Sequence, residues 1–225
     1  MASEDARYRQ SSQYRLWSFS PSQLAGMREK TNALARTSIA ERLSASGGGG
    51  SSSPGNNNNN NVPISNQTSS ANTPDPNDIN SAVGTPNASG GNGLPEFLTP
   101  AEELIGVQYY TSELLRAAEF AEMALEIKAT AAAFFRRFYV TNSIMTYPPT
   151  DMLIVALFFG CKAEGHFQNV AQFAAKFGGE QKPDTILAGE FLLCQGIRFA
   201  IDVRHPFRAL QAATMQLLRL GVDVS

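Results

Sequence analysis

His166, His205, Cys161 and Cys194 are the only histidines and cysteines in the 225 residues, and they bound the chemistry the chain can perform by itself. Nucleophilic catalysis needs a base within reach of the nucleophile, and a zinc site needs several ligands at short recurring spacings. Cys161 and His166 stand five residues apart, but no further Cys or His completes a site. Each cysteine lies in an apolar run, where the ordinary role is that of a small buried hydrophobe. Gly90-Gly91-Asn92-Gly93 follows no strand pattern and is not read as a phosphate loop. The sequence therefore predicts no catalytic residue, no metal and no cofactor, and points away from an enzyme.

Composition narrows the class further. Apolar residues make up 43% and charged residues 17%, with a net charge of -2. That balance gives no strong field for nucleic acid, and the helical part is mildly acidic, with Arg136-Arg137 as its one basic doublet. Two cysteines make no disulfide framework, so a reducing compartment is expected. The opening residues MASEDARYRQ hold no apolar signal core. The longest apolar run, Met152 to Cys161, is about half of the roughly 20 residues that a membrane span requires. A soluble intracellular protein is expected, in which the sequons at Asn66 and Asn87 arise by chance.

Three zones then separate. Residues 1–45 read as a short aromatic arm, Tyr8 to Phe19, and one helix. The helix starts at Ser20-Pro21-Ser22-Gln23, an N-cap serine with proline at the first helical position and glutamine three residues past the cap. Leu24, Met27, Thr31, Leu34 and Ser38 give it a narrow stripe ending near Leu43. The arm's aromatics fit equally well an anchor to a partner and a cover for the chain's own domain. Residues 46–94 are Gly/Ser/Asn-rich, including six asparagines from Asn56 to Asn61. Such a tract buries too little apolar surface to offset its chain entropy, so disorder is expected. It carries three proline-directed dipeptides, at Ser53, Thr73 and Thr85.

From residue 95 onward the pattern is helical throughout. A second capping box, Thr99-Pro100-Ala101-Glu102, opens a face of Leu104, Val107, Tyr110, Leu114 and Leu115 that runs to about Phe120. A second helix of this region runs from Glu122 or Glu126 to Tyr139, with small residues at 129–133 permitting close approach. Thr141-Asn142-Ser143 breaks it. Pro148-Pro149 starts a third, Thr150 to about Ala163, which is apolar all round and so belongs at the centre of the domain. Val170 to Phe177, Pro183 to about Ala200, and Pro206 to about Leu220 complete the set. The expected class is all-α, one central helix wrapped by four.

This arrangement resembles the cyclin box. The residues that carry the resemblance are Phe134-Phe135-Arg136-Arg137-Phe138-Tyr139 with Asn142-Ser143-Ile144-Met145, Cys161-Lys162-Ala163-Glu164 after the apolar helix, and Glu190-Phe191-Leu192-Leu193. The leader, Ser11-Ser12-Gln13, Trp17-Ser18-Phe19-Ser20 and Leu24, resembles the transcription-type branch of cyclin H. On that resemblance residues 95–203 form the cyclin box and 204–225 the first helix of an incomplete second box. The chain is then a C-terminally truncated form whose last helix lacks neighbours for Leu210, Met215, Leu217 and Leu218.

The resemblance implies a nuclear regulatory subunit, with a cyclin-dependent kinase and other subunits of the CDK-activating complex of TFIIH as partners, and neither membrane nor direct nucleic acid among them. In the family a lysine ending the third helix and a glutamate in the fifth meet the kinase, and these fall on Lys162 and Glu190. Lys162 closes an apolar helix and Glu190 lies between Leu187 and Phe191, so both charges need an outlet and are expected to pair. Helical spacing sets Phe159 on the face of Lys162 and Cys194 on that of Glu190. These four are the expected docking residues. The chain departs from the cell-cycle branch: residues 107–110 hold no arginine, and Arg136 stands where an aspartate is usual. Ala163 is small where the family often has a larger apolar residue, which implies a shallower interface. The competing readings are a cyclin-fold transcription factor like TFIIB, which normally adds a zinc ribbon that this chain lacks, and a scaffold that binds without activating.

Overall fold

Capping chemistry sets where the helices begin. In the computed structural model, which describes residues 4–47, 96–178 and 182–221, Ser20 and Gln23 exchange the two hydrogen bonds of a capping box (2.9 and 3.2 Å), and Thr99 and Glu102 do the same. These open α3 (Pro21–Gly47) and α4 (Pro100–Phe120). They follow α1 (Glu4–Gln10) and α2 (Ser12–Trp17), and precede α5 (Leu125–Thr141), α6 (Pro149–Ala163), α7 (Val170–Lys176), α8 (Pro183–Gly196) and α9 (Phe207–Arg219). No strand occurs among the described residues, and none of their helices is long and apolar enough to cross a membrane.

The chain divides into two units, residues 1–37 with 97–225, and residues 38–96. Of the second, the described part is the end of α3 and Glu96. The expected disordered linker, with its three proline-directed dipeptides, two sequons and the glycine cluster at 90–93, lies outside the described residues, apart from 46 and 47, which continue α3.

In the first unit α6 touches α4, α5, α7 and α8, as its all-apolar sequence requires. Met152, Leu153, Val155, Ala156, Leu157, Phe158, Gly160 and Cys161 are all buried. The small residues of α5 do what their size permits: a methyl group placed on Gly160 would lie 3.0 Å from the Ala131 Cβ. Phe134, Phe135 and Phe138 of α5 are fully buried against this axis.

Several helix ends share one closing motif, in which the chain turns through a left-handed residue and donates back to the last turn. After α6 it is Gly165 (φ 78°), with His166 N donating to Cys161 O and Gly165 N to Lys162 O. After α4 it is Glu122 (φ 52°), and after α8 it is Arg198 (φ 56°). The last of these corrects the expectation that the helix from Pro183 runs to Ala200: it stops at Gly196, whose missing side chain lets the Phe138 ring sit where a Cβ would fall.

Two further corrections concern the N-terminal zone. The arm holds two helices, too short to show a period. The stripe assigned to α3 holds only in its first half: Leu24, Met27 and Thr31 are half-buried, whereas Leu34 is 62% exposed and Ser38 is exposed, and the fully buried positions are Asn32 and Ala35. Hydrogen bonds also orient that helix: Asn32 Nδ2 donates to Leu98 O at 2.8 Å, and Thr31 Oγ1 to Val140 O at 3.1 Å. The arm covers its own domain. Trp17 packs on the core between the guanidinium groups of Arg137 and Arg198, each 5.6 Å from its ring, and Gln13 Oε1 accepts from Arg204 N. In α9 the apolar side chains Leu210, Met215, Leu217, Leu218 and Leu220 are all exposed, as expected for the first four.

Candidate functional site

The middle of α6 and the middle of α8 are brought together by Gly189. A Cβ at that position would meet Val155 Cγ2 at 2.5 Å, so the two helices cross where only a glycine fits. One consequence is testable. Gly189→Ala should cost about 1–3 kcal/mol by forcing α8 off α6. Thermal unfolding followed by circular dichroism measures it, and an unchanged midpoint would contradict the close crossing.

Across that contact Lys162 Nζ donates to Glu190 Oε2 at 2.8 Å, over 28 residues of sequence. The expected pair therefore forms. It is partly withdrawn from water, with the lysine side chain 33% and the glutamate 15% exposed. Lys162 Nζ also stands 4.6 Å from the centroid of the Phe158 ring, a cation–π contact that holds the ammonium over the core. Glu190 Oε1 is buried with no hydrogen-bond partner. A buried acceptor left unpaired costs about 1–3 kcal/mol, so an arrangement of this kind is not explained by stability alone.

Cys194 lies one turn beyond Glu190, half-buried. Burial raises its thiol pKa, the Glu190 carboxylate adds to that, and Lys162 opposes it, so the sulfur sits within the field of both charges. Phe159 is half-buried and turns toward Phe134, with ring centroids 5.4 Å apart. The ring that reaches Lys162 is Phe158, which the spacing argument did not single out. Leu187 and Phe191, one turn apart on α8, remain 43% and 48% exposed and frame Glu190 with apolar surface.

The other chemistry-bearing residues lie apart from this groove. Burial raises the Cys161 thiol pKa, the opposite of an activated nucleophile. His166 is exposed at the end of α6. His205 Nε2 lies 2.7 Å from Thr130 Oγ1, which donates to Glu164 Oε1 at 2.5 Å. That link between α5, the end of α6 and the approach to α9 joins residues 75 apart and left no trace in local sequence. Among the described residues no group of three His, Cys, Asp or Glu side chains is arranged to hold a metal ion.

No family model matches the chain. It is similar to cyclin CCL1 of Saccharomyces cerevisiae, at 30% identity over 208 residues, which are 92% of this chain and 44% of CCL1. It is similar to cyclin-H of Xenopus laevis, at 31% identity over 121 residues, 51% of this chain and 38% of that protein. Among solved structures, a chain of the CAK complex of Chaetomium thermophilum bound to ATP-gamma-S matches with a TM-score of 0.73 and 57% identity, covering 96% of this chain and 55% of that one. The chain thus spans about half the length, or less, of the relatives it matches.

Proposed function

We propose, since this chain belongs to the cyclin family, in the branch of cyclin H, and folds its helices α4 to α8 as a cyclin box, that it is a regulatory subunit which binds and activates a cyclin-dependent kinase of RNA polymerase II transcription. On this reading residues 95–203 are the box and 204–225 the opening of a second one. The subunit works in the nucleus within a CDK-activating complex, and contributes no catalytic group of its own.

The observation that carries the reading is the Lys162–Glu190 pair, partly buried between α6 and α8 and framed by Leu187 and Phe191. A lysine held in place by the Glu190 carboxylate, with donors to spare, offers directional hydrogen bonds to a partner's backbone. The apolar rim supplies the burial that makes such contacts strong. Phe159 and Cys194 complete the surface. Binding there holds the kinase's mobile helix inward, where its own lysine–glutamate pair and metal-binding aspartate come into register. The effect is a population shift: the partner's active conformer is the one that fits.

Co-expression with the kinase subunit of a CDK-activating complex, followed by phosphate transfer to a polymerase-tail peptide, tests this. Stimulated transfer is expected. Capture of the kinase without stimulation would leave a scaffold, and absence of capture would end the proposal.

A further inference from the structure

A concave region lies away from the Lys162–Glu190 pair. A cavity of about 580 Å3 opens between the N-terminal arm, α3, α4 and α5, and no residue of α6 or α8 lines it. Its size is that of a ligand site. Three arginines line it, Arg28 from α3 and Arg136 and Arg137 from α5, beside the aromatic side chains of Tyr8, Trp17 and Phe19.

The polar groups are unevenly matched. Neither Arg28 nor Arg136 has a carboxylate within ion-pair distance among the described residues. Arg137 donates to Ala200 O at 3.0 Å and stacks on Trp17, and burial lowers its pKa. The one carboxylate in the lining, Glu103, is buried and accepts from Ser143 Oγ. Trp17 Nε1, a donor, is buried without an acceptor. The wall therefore holds three cations against a single carboxylate already engaged.

From this we infer that the cavity binds a phosphorylated serine or threonine side chain presented by a peptide of a partner protein. A phosphate monoester carries up to two charges and three strong acceptor oxygens, which suits two free guanidinium forks better than a carboxylate does. The aromatic walls take the apolar part of such a segment. The exposed Gln108 on α4, whose side chain makes no hydrogen bond in the structure, offers an amide for peptide backbone. Recognition of a phosphorylated segment by clustered arginines is an established physical mode.

Trp17 is the only tryptophan in the chain, so its fluorescence reports this cavity. The wild-type chain is titrated with a fluorescein-labelled peptide carrying one phosphothreonine, following Trp17 emission and peptide anisotropy. The same peptide without phosphate, and inorganic phosphate alone, serve as the other arms. Saturable binding of the phosphopeptide is expected, with Arg28→Gln and Arg136→Gln each weakening it about tenfold or more. Equal binding of the unphosphorylated peptide, inorganic phosphate binding as tightly as the phosphopeptide, or unchanged affinity in both variants would each overturn the inference. Arg136 is exposed, so its substitution leaves the fold intact and the variant interpretable. No kinase is present in the assay, so its outcome is independent of the groove between α6 and α8.

Discussion

Glu190→Ala is expected to weaken capture of the kinase by about 2–5 kcal/mol, roughly thirtyfold or more in dissociation constant. The size follows from what the carboxylate does in the free protein. It fixes the Lys162 ammonium at 2.8 Å, and its loss leaves a lysine that must be desolvated on docking with nothing to compensate it. Lys162→Ala should cost a similar amount for the mirror reason, because it strands a carboxylate that is only 15% exposed. The two losses should not add, since either substitution removes the same interaction. Titration calorimetry of both single variants and the double variant measures this. Undiminished capture by both single variants removes these residues from the docking surface. A large loss in the single variants that adds fully in the double would assign them to separate contacts.

Phe158→Ala should remove about 3–5 kcal/mol of folding stability, a large share of the roughly 5–15 kcal/mol typical of a domain. Phe158 is 2% exposed, stacks at a tilt on Phe173 with centroids 5.0 Å apart, and carries the Lys162 ammonium on its face. One ring thus serves both core and site. Phe158→Leu separates the roles, because it keeps most of the volume and discards the π face. That variant should unfold close to the wild type in urea while binding the kinase more weakly. A loss below about 1 kcal/mol for Phe158→Ala would show that the neighbouring side chains collapse into the space.

The parts of the fold that could be read in advance are those written in local pattern. Both capping boxes, the proline-started α6 and its all-round apolarity need only a few consecutive residues to recognise, and the order of α4 to α8 follows from them. Lys162 and Glu190 are legible through the family resemblance, with which their place as charges in apolar runs agrees. What local pattern missed depends on distance. Phe158 rather than Phe159 meets Lys162 because the flexible lysine stem reaches back over the adjacent ring, which helical spacing alone does not decide. The arginine-lined cavity joins residues from Tyr8 to Ile144 on several elements. Glu103, in the first turn of α4, has the look of a solvated helix-start acid, yet it is buried against Ser143. The extent of α8 depended on left-handed Arg198 and Phe199, residue types that give no warning of such a turn.

The unpaired oxygen of Glu190 has a bearing on how much of this protein a cell would hold. A buried acceptor left unpaired costs about 1–3 kcal/mol, and differences of that size alter steady-state abundance several-fold through proteolysis. A binding partner that covers the Lys162–Glu190 pair favours the folded subunit by mass action and also slows turnover. Supply of the subunit would then follow supply of its companion, with no regulator dedicated to matching the two.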